Sequence, residues 1–305
     1  MIMDMSALRS LVAAVETGSI SAAAKRLAVS QPALSQKLAG LEAAVGQQLL
    51  VRSRSGVAPT PAGELALEHA GRVLTSLADM QTALDSLRGE VAGRLRVTVN
   101  MMFGQAIMGP VIADLRQRYP SLRVDVLPSD KVVDIEAEGI DLAVRGGTHG
   151  SGRGLVRRIA TMEGALIASP SYLDRVGRPK GPEDLAGLSY VQYRDDPEEN
   201  AIAMVHAGEA IHVPVTPAFS AQHPDLTLHA VLGGIGFAKS PAFFVHERLA
   251  AGTLEEVLPG YAPAPKPHYL VMREHLRESP NVRAFRAVLV DHLSRLHGFS
   301  VSNDL

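Results

Sequence analysis

Residues 66 to 87 carry apolar side chains at alternating steps of four and three: Ala66, Ala70, Val73, Leu77, Met80, Leu84 and Leu87. This heptad spacing commits the segment to a helix, because only a helix brings such positions back to one line. Glu64, Glu68, Arg72, Asp79, Asp85 and Arg88 fall off that line. A helix from Ala62 to Glu90 would run for roughly 40 Å at 1.5 Å per residue. So narrow a seam along so long a rod calls for a second helix to cover it. Another copy of the same chain meets that need and makes the segment a dimerisation helix. Packing along the chain's own domain is the alternative.

The rod separates two parts of unlike charge. Residues 1–62 carry a net charge of +3, from Arg9, Lys25, Arg26, Lys37, Arg52 and Arg54 against Asp4, Glu16 and Glu42. The whole chain is at −2, so the remainder stands at −5. A small basic head on a larger acidic body suits a DNA-binding module joined to a module with another task. The length of 305 residues is enough for about two domains, and 46% hydrophobic content excludes a wholly disordered chain. No apolar run approaches the ~18 residues of a membrane span. Asp4, Arg9 and Glu16 interrupt the first apolar pattern, so the N-terminus does not read as a secretory signal. Without Cys there is no disulfide, thiolate metal site or Cys nucleophile, which fits a reducing cytoplasm.

The head reads as three short helices and a wing. Leu8, Leu11, Val12 and Val15 form one apolar face that ends at Thr17-Gly18. A short Ala-rich helix covers Ser21–Leu27. Ser30-Gln31-Pro32 then supplies an N-cap and a first-turn proline. In the third helix Leu34, Leu38, Leu41 and Val45 form the stripe expected to be buried. Pro32, Gln36, Ala39 and Ala43 fall on the opposite face, with Ser35 and Lys37 on its flanks. That face is small and polar, and a major groove ~12 Å wide admits such a helix. Gln36 can address adenine and Ala33 a thymine methyl, while Ser35 and Lys37 can reach phosphates. A solvated face of an ordinary three-helix bundle is the alternative. Val51–Gly56 is either a wing whose Arg52 and Arg54 follow the phosphate backbone or a solvated loop.

From Arg94 onward, strand and helix patterns alternate, which implies βαβ units around a mostly parallel sheet. Expected strands are Leu95–Val99, Leu122–Leu127, Ile140–Val144, Ala165–Ala168, Leu188–Tyr193, Ile211–Val215, Ile235–Ala238 and His268–Met272. Expected helices start at Pro110 and cover Asp130–Glu138, Leu226–Leu232 and a C-terminal segment bearing Val282, Phe285, Leu289, Leu293 and Leu296. Two lobes are plausible, with the last strand and helix returning to one of them.

No catalytic or metal constellation emerges. The nearest His pairs (His206/His212, His223/His229, His268/His275 and His292/His297) lack the four-residue step that puts two ligands on one helix face. There is no nucleophile elbow. Gly146–Gly154 lacks the Gly-Lys-Ser/Thr ending of a phosphate-binding loop and reads as a mobile loop. Gly233-Gly234-Ile235-Gly236 reads as a helix-to-strand turn. The chain is not expected to be an enzyme, and no cofactor is implied.

Ser19–Ala24, Ser30–Glu42, Leu49–Arg52 and Thr60-Pro61-Ala62-Gly63 closely resemble the winged helix-turn-helix of LysR-type transcriptional regulators. The resemblance continues through Asp130–Arg145, Ala168–Leu173 and Pro182–Ala186 over nearly the whole chain. It implies an α/β chain with an N-terminal winged helix-turn-helix, a long linker helix that dimerises, and a two-lobed effector domain similar to periplasmic binding proteins. The expected divisions are 1–61, 62–90 and 91–305, with lobe one at 91–163 and 268–305 and lobe two at 164–267. Such regulators bind double-stranded promoter DNA as homodimers or homotetramers and respond to a small molecule. The family's DNA contacts fall on Ser30, Gln31, Pro32, Ser35, Gln36 and Arg52. Many relatives have Arg where Gln36 stands and a second wing Arg where Ser55 stands. Pro59 replaces the usual Leu, and a Trp common in the second lobe of the subgroup is absent.

In open parallel sheets ligands sit beyond the carboxyl ends of the strands. Those ends are Asn100-Met101-Met102-Phe103, Pro128-Ser129 and Arg145; the family's cleft adds second-lobe positions, here Tyr193, Ser220 and Pro241. Asn100 and Ser129 could hydrogen-bond a ligand, while Phe103 and the Met pair would supply an adaptable wall. Arg145 has two readings, an anionic effector's partner or a structural ion pair with Asp134 or Asp141. Two other functions compete with the regulator. A solute-binding module would bind a metabolite without sequence preference in DNA, and an enzyme would keep turnover after deletion of residues 1–90.

Overall fold

Asp4 starts the first helix: its carboxylate accepts the Ser6 N–H at 3.1 Å, opening α1 (Met5–Thr17), which ends at Gly18 with φ +63°. Ser19 then caps α2 (Ile20–Arg26), and Ser30 caps α3 (Gln31–Val45) by accepting the Ala33 N–H at 3.3 Å. Each cap satisfies a first-turn amide that has no partner inside its helix. β1 (Leu50–Ser53) and β2 (Gly56–Pro59) pair antiparallel, and α4 (Pro61–Leu87) follows. The structure, a computed structural model, describes residues 4–53, 56–87, 89–147, 154–193 and 201–302. Within it the chain divides into two compact units, Met1–Arg88 with Glu136–Gly139, and a larger one of Gly89–Ile135 with Ile140–Leu305.

The first unit closes over Leu8, Leu11, Ile20, Leu34, Leu38, Leu41, Leu49 and Ala70. Val45, expected in that stripe, is 40% exposed because it lies in the last turn of α3, just before Gly46 ends the helix. The α4 seam serves two purposes. Ala70 is 1% exposed, and Ala62, Ala66 and Leu67 pack on the same core. Farther along, Leu77 is half-buried, whereas Val73, Met80 and Leu84 are 45%, 54% and 50% exposed. The side chain of Leu87 lies outside the described residues. Gly63 allows the start of α4 to lie on the hairpin: a Cβ there would stand 2.0 Å from the Leu49 carbonyl oxygen.

In the second unit β3 (Gly93–Val99), α5 (Met101–Ala106), α6 (Met108–Arg118), β4 (Leu122–Pro128) and β5 (Leu142–Gly146) come first, and β3 pairs in parallel with both β4 and β5. β6 (Leu155–Met162) leads through Glu163 into a second lobe. That lobe contains β7 (Gly164–Ala168), α7 (Pro170–Val176), β8 (Tyr190–Tyr193), β9 (Ala201–His206), β10 (Glu209–Pro214), β11 (Pro217–Ala221), α8 (Pro224–Leu232), β12 (Ala238–Pro241), α9 (Ala242–Ala250), β13 (Glu255–Glu256) and β14 (Ala262–Pro263). The chain returns through Ala264-Pro265 to β15 (Lys266–Met272), α10 (Pro280–Ser294) and β16 (Phe299–Val301).

The first-lobe sheet runs β16-β6-β15-β5-β3-β4. It is mixed, rather than mostly parallel as the alternating pattern suggested. β15 comes back from the other lobe and so runs antiparallel to both β5 and β6. Its core holds Leu95, Val97, Phe103, Val111, Leu142, Phe285 and Leu289. The helix expected at Asp130–Glu138 does not form. The start of the segment is held by tertiary bonds instead: Arg145 donates to the Ser129 and Lys131 carbonyls, and Asp130 accepts the Met101 N–H and the Tyr193 hydroxyl.

The lobes are joined closely at Glu163. Its N–H donates to the Gly298 carbonyl at 2.8 Å, and its own carbonyl accepts the Ala242 N–H at 3.0 Å. No helix among the described residues is long and apolar enough to cross a membrane.

Candidate functional site

Two places in the chain concentrate exposed or cavity-lining polar groups. The first is α3. Its buried stripe of Leu34, Leu38 and Leu41 leaves Pro32, Gln36, Ala39 and Ala43 exposed on the other side. Ser30 and Gln31 are exposed at its N-terminus, while Ala33, Ser35 and Lys37 are half-buried. Unpaired amides and the helix dipole make such an end attractive to phosphate. Gln31 Oε1 accepts the Ser21 hydroxyl at 3.0 Å, which ties α2 to the start of α3. Arg52 is exposed on β1, and Arg54 lies outside the described residues. Glu42, on α3, holds the wing in place: its Oε1 accepts the Leu49 and Leu50 N–H groups at 2.8 and 3.0 Å. The hairpin that carries Arg52 is therefore bonded to the helix that carries Gln36.

The second is a cavity of about 420 Å³ between the lobes of the larger unit. That volume is at the small-ligand end of the usual range of roughly 300–1,000 Å³. The first lobe contributes Asn100, Met102, Phe103, Met162, Lys266, Pro267 and His268. The second contributes Tyr190, Tyr193, His212, Lys239, Ser240, Pro241, Phe243 and Pro263, with small residues between them. Among the described residues that line it, none is acidic.

His268 is 2% exposed and stacks on Phe103 at 5.8 Å, with the edge of Phe299 at the same distance. Burial pushes its imidazole down to about 4; the bond to the Lys266 carbonyl opposes this, and the charge of Lys266 adds to it. The ring is therefore neutral near pH 7. Gly146 accommodates it, since a Cβ there would meet the imidazole at 2.8 Å.

Of the residues chosen from the sequence, Asn100, Met102, Phe103, Tyr193 and Pro241 come together around this cavity. Met101, Ser129, Arg145 and Ser220 are not among its lining residues. Asn100 is partly committed, because its Oδ1 caps α5 by accepting the Phe103 N–H at 2.7 Å. The Met101 N–H donates to Asp130 Oδ1 at 2.9 Å. Ser129 Oγ accepts the Lys131 N–H, and Ser220 donates to the buried Gln192 at 2.9 Å. Arg145 reaches the Ser129 and Lys131 carbonyls and the Thr98 hydroxyl, so it braces the loop after β4. Asp141, one of its expected partners, is held by Arg273 at 2.8 Å, and Arg273 is almost fully buried.

Sequence reasoning overlooked Asp130, Lys239, Lys266 and His268. Asp130 Oδ2 accepts the Tyr193 hydroxyl at 2.7 Å across the lobes, and Gln105 donates to Asp225 across the same cleft, also at 2.7 Å. Lys239 did leave a signal. It stands two residues before Pro241 on one strand, and that spacing puts both on the same face.

A family model for the LysR substrate binding domain matches residues 88–294, and one for the lysR family of bacterial regulatory helix-turn-helix proteins matches residues 5–64. The chain is a LysR-type transcriptional regulator. This regulator is 30% identical over 301 residues to HTH-type transcriptional regulator PtxR of Pseudomonas aeruginosa, spanning 96% of this chain and 94% of that one. It is 28% identical over 260 residues to the HTH-type transcriptional activator AaeR of Escherichia coli, covering 85% and 84% of the two chains. Among solved structures, CrgA of Neisseria meningitidis aligns with a TM-score of 0.60 at 26% identity, over 94% of this chain and 97% of that one. The full-length Vibrio cholerae virulence activator AphB aligns with a TM-score of 0.64 at 22% identity, over 94% and 99%, and shares the fold. The helix-turn-helix match of the LysR-type regulator thus falls in the small unit, and nearly all of the substrate-binding-domain match falls in the larger one.

Proposed function

We propose that this regulator binds a short dyad-symmetric promoter site as a homodimer or homotetramer, in the cytoplasm, and does no catalysis. The working division is residues 1–61 for DNA, 62–90 for pairing and 91–305 for the effector. The observation that carries the reading is the exposed face of small side chains around Gln36 on α3, opposite its leucine stripe, with no bulky side chain to keep it out of a groove. On this reading Gln36 and Ala33 address bases, and Ser30, Gln31, Pro32, Ser35 and Lys37 set the helix against the backbone. Arg52, joined by Arg54, follows the phosphates from the wing. The exposed stretch of the α4 seam, Val73 to Leu84, pairs with that of a second copy. A small molecule in the interlobe cavity changes how the assembly sits on DNA.

Footprinting of the intergenic DNA beside the protein's own reading frame tests this, together with the salt dependence of binding. Log K falls with log salt by ~0.9 per neutralised phosphate, so Arg52→Ala should flatten the slope by about that amount per monomer. Finding no protected site would overturn the reading. An unchanged slope and affinity would remove Arg52 from the interface.

A further inference from the structure

Several arginines of the larger unit are matched by carboxylates, among them Arg118 by Asp114, Arg178 by Glu255 and Arg273 by Asp141. Arg157, Arg283 and Arg286 are not. Among the described residues none of the three forms an ion pair or a side-chain hydrogen bond. The fold gathers them on one face of the first lobe. Arg157 lies on β6 between Leu155 and Ile159, which pack on the core that holds Phe285 and Leu289 of α10, so it stands on the helix-bearing side of the sheet. Leu270, its partner on β15, packs on the same core. Arg283 and Arg286 are three residues apart near the start of α10, a spacing that makes side chains neighbours on a helix.

This grouping is unfavourable as it stands. Arg157 and Arg286 are half-buried, where like charges repel more strongly than in water. Burial first, and then the charge of Arg157, push the Arg286 guanidinium below its ordinary value; Glu278 opposes this and Arg283 adds to it. Glu278 is itself engaged by Arg277 at 3.4 Å. Cations in the first turns of a helix also oppose its dipole. A separate sign comes from Ser279, the residue before α10: its hydroxyl is buried with no hydrogen-bond partner, while its carbonyl accepts the Arg283 N–H at 3.0 Å. An anion seated on this face would remove the repulsion and complement the positive end of the helix.

We propose that Arg157, Arg283 and Arg286 form a binding site for a phosphate-bearing anion, apart from the interlobe cavity. None of the three lines that cavity. Charge and shape favour phosphate over carboxylate. A phosphate monoester carries about −1.5 to −2 near neutral pH and three acceptor oxygens, enough to engage the donor forks of more than one guanidinium. A carboxylate brings one charge and two oxygens, which one guanidinium can satisfy.

The test is urea unfolding of the full-length protein, without DNA, followed through its tyrosine signals. Inorganic phosphate, pyrophosphate and glycerol 3-phosphate are added at millimolar concentration, with acetate at equal ionic strength as the control. An anion that binds only the folded state raises the unfolding midpoint by mass action. At least one of the three phosphates should do so and acetate should not, and the strongest of the three tells a free phosphate from an ester. Arg283 is exposed, so Arg283→Gln leaves the core undisturbed; it should weaken the binding read from the concentration dependence by about tenfold or more, with Arg283→Lys recovering part of the loss. Arg157→Gln and Arg286→Gln should weaken it likewise. Acetate acting as strongly as the phosphates would overturn the proposal. So would a phosphate effect that survives all three Gln variants, or no effect of any phosphate. If Arg283→Gln instead lowered promoter affinity, or altered the oligomer in sedimentation, with no phosphate response in the wild type, the face would belong to DNA or to a second copy, and the proposal would fall. The regulator reading does not depend on any of these results.

Discussion

The buried imidazole of His268 makes the body of this regulator sensitive to acid in a calculable way. Burial lowers its pKa from 6.5 to about 4, so between those values the unfolded chain binds a proton that the folded chain refuses. Stability therefore rises with pH through this window and is lost as pH falls from 6.5 toward 4. The loss from this single residue is about 2 kcal/mol at about pH 5 and approaches about 3 kcal/mol below about pH 4. The carboxylates whose pKa is lowered, Asp125 and Glu255 among them, add acid sensitivity only at lower pH, so the upper part of the window belongs to histidine. His268→Phe keeps an aromatic ring beside Phe103 and Phe299 but cannot take up a proton. Urea unfolding at about pH 7.5 and about pH 5 would compare the two proteins, with the other histidines common to both. The chain has no Trp, and all six Tyr residues lie between Tyr119 and Tyr269, so tyrosine signals report on the second unit alone. The wild type should lose about 2 kcal/mol more than His268→Phe on acidification. Equal losses in the two proteins would refute the argument that His268 is held neutral by burial.

Three further outcomes are expected. Asp141→Ala removes the carboxylate that the almost fully buried Arg273 meets at 2.8 Å and should destabilise the body, whereas Asp141→Leu with Arg273→Met should restore part of the loss by urea unfolding. Met80→Asp with Leu84→Asp alters side chains that are half exposed in one chain, so it should leave helix content unchanged while sedimentation shows the oligomer dissociating. An unaltered oligomer would reject the pairing role of the seam. Gly63→Val sets a side chain against the Leu49 carbonyl; DNA affinity should drop while the tyrosine-reported stability of the second unit holds.

The head of the molecule was legible because its signals are local. Ser30 announces a helix start, Gly18 announces a stop, and the leucine spacing of α3 gives its faces directly. In the body the apolar runs were legible as strands, among them those that became β3, β4, β5, β7, β8, β10 and β15. The β9–β10 hairpin escaped notice because its turn is Ala207-Gly208, with φ of +50° and +86°. A turn with both central residues left-handed is announced by Asn-Gly or Asp-Gly, and Ala gives no such signal. Asp130–Glu138 has helical composition, yet Arg145, Tyr193 and the Met101 amide draw the loop's start into tertiary bonds. The cavity was half legible for a related reason. The strand ends of the first lobe follow from topology, but the second-lobe side chains that meet them depend on how β7 and β12 pair, and sequence spacing does not reveal that.

The first turns of α4 are built into the core of the DNA-binding head through Ala62, Ala66, Leu67 and Ala70, with no flexible joint between rod and head. If two such rods zip together along Met80 and Leu84, the crossing angle of the pair also sets the span and the tilt between the two α3 helices. The distance between half-sites that this protein accepts would then be determined by rod geometry, and a one-residue insertion after Ala70 would rotate each head by about 100° about its rod.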